Sequence, residues 1–140
     1  MSTQSNLSLA DLTMGRDSSY LSEYTLEIAT NLQRLCDTIN AFLNELGIKN
    51  KPKVSSGWRP AAINNSTKNA AKRSSHTVGL AVDILDDKDQ NLAKMILIRL
   101  DLLKKHGLYL EDPQHTVGKY TNWVHLQLVA PKSGKQVFKP

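Results

Sequence analysis

The chain holds a single cysteine, Cys36, so no disulfide can form within it and a cysteine-ligated zinc site is excluded by count. Cys36 falls among apolar residues at helical spacing, and we read it as core. No stretch approaches the roughly 20 apolar residues that span a bilayer. The opening, MSTQSNLSLADLTMGRDSSY, lacks a basic start followed by an apolar run, so it does not read as a secretory signal. The expectation is synthesis in the cytoplasm, with another agent carrying the protein to any target beyond the membrane. Aromatic residues make up only 6% of the chain. There is no Lys/Arg-rich helix and no zinc-finger spacing. The net charge of +5 therefore does not argue for a nucleic-acid partner. It fits a basic surface facing water or an acidic polymer. The densest basic cluster, Lys68, Lys72 and Arg73, is short. Internal repeats and low-complexity tracts are also missing.

What is present suits one domain: 140 residues, 40% of them hydrophobic. Residues 1–20 are polar without a clear period and read as an arm, leaving 21–140 as the domain; a monomer is the expected state. Residues 21–46 carry the strongest helical signal. Leu26, Ala29, Leu32, Leu35, Cys36, Ile39, Phe42, Leu43 and Leu46 recur at spacings of three and four. Ser19 or Ser22 can cap its start, and Gly47 ends it. A second long helix is predicted over 90–105, capped from 86–89 and ended by Gly107. Strands are predicted over 53–56, 80–85, 108–111 and 122–129. A turn follows at Gly57, then a short helix opened by Pro60. Residues 65–75 read as a loop or frayed helix, 113–121 as a loop between the last two strands, and the tail from 131 as turn-rich. The fold class is α+β: two long helices on a small, mainly antiparallel sheet.

The chemistry-bearing segment is SSHTVGLAVDIL. Gly79 and the Ala-Val-Asp-Ile alternation oppose a helix, so His76 lies on a loop that feeds a strand carrying Asp83. A carboxylate between Val82 and Ile84 costs several kcal/mol unless it is paired, bound to a metal or turned outward. His125, in WVHLQL, shares a strand face with Trp123 and Gln127. Alone it reads as a core histidine. With His76 and Asp83 it makes two imidazoles and one carboxylate, the donor set of a catalytic zinc site with its fourth position open. A hydrolase also needs a general base. Glu111 and Asp112 stand where the 108–111 strand ends, and Glu111 has the longer reach. Arg59, in SGWRP, can clamp a carboxylate or oxyanion, or simply form an ion pair. Trp58 and Trp123 read as cleft walls or core. His106 falls at a helix C-terminus, where the dipole favours a cation, and His115 in a loop.

SGWRP, SSHTVGLAVDI and WVHLQL together resemble the zinc D-alanyl-D-alanine carboxypeptidase and L-alanyl-D-glutamate endopeptidase family, whose fold is similar to the hedgehog signalling domain. The resemblance covers residues 53–129. It implies zinc ligation by His76, Asp83 and His125. It also implies a substrate and oxyanion contact at Arg59 and a substrate or support role for Ser74; Trp123, read above as a cleft wall, would line the same substrate site. Many members place an acid three residues before the last histidine, where this chain has Asn122. Others carry it at the end of the preceding strand, which Glu111 matches. The implied partner is the peptidoglycan stem peptide. Small members of this sort resemble phage or prophage endolysins, which reach the wall through a holin-type route or in a virion.

Overall fold

The structure, a computed structural model, describes residues 6–67 and 74–140; the Lys68, Lys72 and Arg73 cluster lies outside them. The fold is α+β. Among the described residues, helix α3 (Leu26–Leu46) is the one long helix. Thr25 caps it by accepting from the Ile28 N–H, not Ser19 or Ser22, and residues Leu21–Glu23 form a separate 3-10 turn ahead of it. Leu32, Leu35, Cys36, Ile39, Phe42, Leu43 and Leu46 are its buried stripe. Gly47, at φ 91°, ends it in the left-handed conformation.

Five strands among the described residues form one mixed sheet: β1 (Val54–Ser56), β2 (Ala81–Asp86), β3 (Tyr109–Glu111), β4 (Asn122–Gln127) and β5 (Val137–Phe138). Their order is β1-β2-β4-β3-β5, antiparallel except for the parallel β3–β5 pair. Side chains alternate across the sheet. Val82, Ile84, Leu110, Val124 and Leu126 enter the core with α3, each such burial contributing about 1.5–3 kcal/mol. The opposite face carries Asp83, His125, Gln127 and Glu111. Between β1 and β2 the register slips, Val54 facing Ile84 and Ser56 facing Asp83, so β1 bulges beside Asp83.

Three further expectations are revised. The described part of the expected arm, residues 6–20, is folded: Ser8 and Asp11 form a reciprocal capping box for α1 (Leu9–Thr13), and α2 (Arg16–Ser19) follows. Leu7 and Leu12 are buried in the core, and the Asn40 side chain bonds both the N–H and the carbonyl of Leu7. Two buried leucines five residues apart make no helical stripe, which is why the segment carries no period. Secondly, the predicted 90–105 helix is two, α5 (Asn91–Leu97) and α6 (Leu100–His106). Arg99 leaves helical geometry (φ −131°, ψ 51°) and its guanidinium grips Asp101 through two 3.0 Å contacts. The bend lets Ala93 and Ile96 of α5 face β2 and β4 while α6 packs Leu102 and Leu103 towards α3 and β3, which one straight helix cannot do. Thirdly, the tail contains β5, held by Leu110 N–H to the Gln136 carbonyl (2.8 Å) and Asp112 N–H to the Phe138 carbonyl (2.7 Å). Two residues are too short a strand to show alternation.

The short helix after Pro60 is α4 (Ala61–Ser66), with Pro60 at its N-cap.

Candidate metal centre

Strand pairing places the first two members of the site. In the β2–β4 register, Asp83 lies opposite His125, both on the face away from the core, and Asp83 Oδ1 is 2.8 Å from His125 Nδ1. His76 comes from a 3-10 turn, Ser75–Val78, that enters β2 through Gly79 at φ 78°. Ser74 caps this turn by accepting from the His76 N–H at 3.2 Å, so it supports the histidine. His76 Nε2 then stands 3.3 Å from Asp83 Oδ2. One ligand atom from each of the three residues lies within 4.8 Å of the others. The buried group His76, Asp83 and His125 is thus arranged to hold a metal ion such as zinc.

The donor chemistry fits a cation. His76 Nδ1 sits 2.9 Å from the Gly57 carbonyl, an obligate acceptor. That nitrogen must carry the proton, which leaves Nε2 with its lone pair turned to Asp83. His76 Nε2 is buried and is not aligned for a hydrogen bond with any described residue. His125 Nε2 is 2.7 Å from Gln127 Oε1, so Nδ1 faces the carboxylate. Two nitrogen lone pairs and a carboxylate converge, and only a proton or a cation compensates them. The electrostatics agree. Burial pushes the Asp83 carboxyl upward, but the hydrogen bonds and charges of His125 and His76 outweigh it and hold it well below the usual carboxylate range. Burial pulls His76 below the ordinary imidazole value against the pull of Asp83. Burial also lowers His125, but Asp83, Gln127 and Glu111 more than reverse that.

Glu111 ends β3, one position beyond the Leu110–Leu126 pair and hence beside His125. Burial raises its carboxyl above the ordinary value; His125 pulls it down, Asp83 pushes it up, and His115 also lowers it. Asp112 is turned elsewhere, its carboxylate capping the 3-10 turn Pro113–His115 through the Gln114 N–H. Asn122 is turned away too: its amide donates to the Asp87 carbonyl at 3.2 Å. Arg59 enters from the loop after β1. Its N–H donates to the His76 carbonyl (3.1 Å), and its Nη1 lies 3.4 Å from Asn64 Oδ1. Burial lowers its pKa while Asp83 raises it, and its Nε is buried without a hydrogen-bond partner among the described residues. Trp123 occupies the same strand face two positions from His125 and stands against Gly118. Trp58 is core: its ring is buried, lies 5.3 Å from Tyr24, and donates from Nε1 to the Thr77 carbonyl at 3.1 Å. His106 bonds Glu45, away from the site.

Sequence reasoning missed three supports. The Gly57 carbonyl is backbone and leaves no residue-type signal. Phe138 stands edge-on to His125 at 6.1 Å between ring centres, from a strand not expected. Gln127 was visible as a same-face neighbour two residues from His125, without an assigned role.

Comparison with known proteins gave no match to a family model, to a curated protein or to a solved structure.

Proposed function

We propose that this chain is a zinc-dependent peptidase that hydrolyses peptide stems or cross-links of bacterial peptidoglycan. The observation that carries the reading is the convergence of His76 Nε2, Asp83 and His125 Nδ1 with both outer imidazole nitrogens already occupied by oxygen acceptors. Zinc held by these three would supply Lewis-acid polarisation of a peptide carbonyl and water made acidic near neutral pH. The chain's own residues supply the rest. Glu111, beside His125 and half-buried, accepts a proton from the attacking water and returns it to the leaving amine. Arg59, anchored by its backbone to His76, presents a guanidinium to the carbonyl oxygen as it gains charge or to a stem-peptide carboxylate. Trp123 offers an apolar wall, and Ser74 holds the His76 turn. The resemblance noted in the sequence supplies the substrate class, and the basic charge suits an acidic wall polymer. Action at the cell wall, after holin-type release or carriage in a virion, belongs to the same proposal.

The test is zinc content together with muropeptide release by wild type and His125→Ala, read by mass spectrometry, which also reports the bond cut. Zinc-replete wild type that leaves peptidoglycan intact overturns the reading. A second reading, a zinc-binding wall or virion module without hydrolysis, draws on Asn122, whose amide is bonded to backbone where many members of the family the sequence resembles carry an acid. Hydrolysis by wild type that disappears in Glu111→Gln removes it.

A further inference from the structure

The two histidines of the site are oriented by the same device in two forms. His76 donates from Nδ1 directly to a backbone carbonyl, that of Gly57. His125 meets a side chain in that position. Its outer nitrogen, Nε2, meets the side-chain oxygen of Gln127 at 2.7 Å. An amide could present either end, and the two ends demand opposite imidazole tautomers. Here the choice is made one bond further out. Gln127 Nε2 donates to the Val129 carbonyl at 2.7 Å. A carbonyl oxygen can only accept, so the NH2 group must point to Val129 and the oxygen to His125. His125 must then carry its proton on Nε2 and present Nδ1 towards Asp83, 2.8 Å away. Gln127 is buried, which makes an unpaired amide there costly and the arrangement hard to invert.

We infer that Gln127 is a positioning residue that relays the Val129 carbonyl to His125, setting its tautomer so that Nδ1 is the metal-binding nitrogen. The inference rests on the metal-site reading and adds to it the residue that selects the ligand atom. Outer-sphere partners of this kind typically change metal affinity by about 10–100-fold when removed. The relay has two separable functions: accepting from His125 and donating to Val129. Gln127→Met removes both at similar volume. Gln127→Glu keeps an acceptor for His125 but replaces the donor with a carboxylate oxygen facing the Val129 carbonyl.

The experiment is zinc affinity by competition with a chelating dye for wild type, Q127M and Q127E, with thermal unfolding of each metal-free protein as a folding control. Long-range proton–nitrogen NMR of the histidines is recorded on zinc-loaded wild type. The expected results are a zinc affinity about 10–100-fold weaker in Q127M, recovery to within a few-fold of wild type in Q127E, and a His125 bearing its proton on Nε2. Q127M binding zinc within twofold of wild type overturns the inference while leaving the metal centre in place. So does a His125 that coordinates through Nε2, a readout that needs no variant and holds even if Q127M fails to fold. Wild type that takes up no zinc removes the metal centre and this inference with it.

Discussion

Asp83 and His125 face each other across the β2–β4 pair with 2.8 Å between Oδ1 and Nδ1, and the second carboxylate oxygen reaches to 3.3 Å from His76. One carboxylate therefore joins the His76 turn and the His125 strand. Asp83→Asn keeps the shape and removes the charge. Zinc uptake should fall below detection in elemental analysis, since a neutral amide oxygen is a far poorer ligand than a carboxylate. The metal-free variant should lose about 1–3 kcal/mol in urea unfolding, because His125 then lacks the partner that favours its charged form. Retention of stoichiometric zinc would show that the ion sits elsewhere.

Metal binding should stabilise the fold, because the site is assembled from the 3-10 turn, β2 and β4 and exists only in the native state. At free zinc about 100 times the dissociation constant the gain is about 2.7 kcal/mol. Calorimetry should show a higher Tm on adding zinc and its return on chelation. His76→Ala should remove the response. An unchanged Tm in wild type would count against any tight site.

Much of this site was legible in the sequence. His76, Asp83 and His125 group on two short signals: Gly79 with the Ala81–Ile84 alternation, which opposes a helix, and the Trp123–Gln127 alternation, which puts His125 on one face with Trp123 and Gln127. Glu111 has the longer reach of the two acids, and Asp112 is consumed in capping the 3-10 turn. The parts that stayed hidden depend on contacts distant in the chain. The Arg99 bend exists because α5 and α6 answer to different neighbours, and local propensity favours one helix. β5 is two residues long and is defined by its pairing with β3. Leu7 is held through its backbone by Asn40, 33 residues away.

The role proposed for Glu111 and its contribution to stability pull in opposite directions. Burial raises its carboxyl above the ordinary value, so the folded state binds its proton more tightly than the unfolded chain does. Between those two values the native state holds more protons, and stability falls as pH rises. Below the ordinary carboxylate range the group is neutral in both states and the penalty vanishes. Glu111→Gln should therefore raise the neutral-pH Tm of the metal-free protein by a few degrees, with little difference from wild type in acid, and abolish hydrolysis. A lower Tm at neutral pH would mean that the carboxylate is held by a favourable contact and is not poised as a base.

Gly57 lies between the N-terminal segment and the candidate metal centre. A Cβ at this position would lie 2.1 Å from the Leu12 carbonyl oxygen, which itself accepts from the Trp58 N–H at 2.8 Å. The Gly57 carbonyl holds His76 Nδ1, and Arg16 of α2 bonds the next carbonyl, that of Trp58, at 2.8 Å. The obstacle to a side chain is backbone, which cannot swing aside, so Gly57→Ala must push α1 outward or shift the loop inward. Overpacking of this kind costs about 1–3 kcal/mol. The displaced carbonyl should also weaken zinc binding by about tenfold or more through His76. Leu12→Ala makes the complementary cut. It empties a core position at a cost of about 2–5 kcal/mol while leaving the backbone hydrogen bond in place. If α1 acts on the site through the backbone, G57A loses both stability and zinc affinity, whereas L12A loses mainly stability. Equal loss of affinity per unit of stability in the two variants would mean that the centre senses only the overall fold.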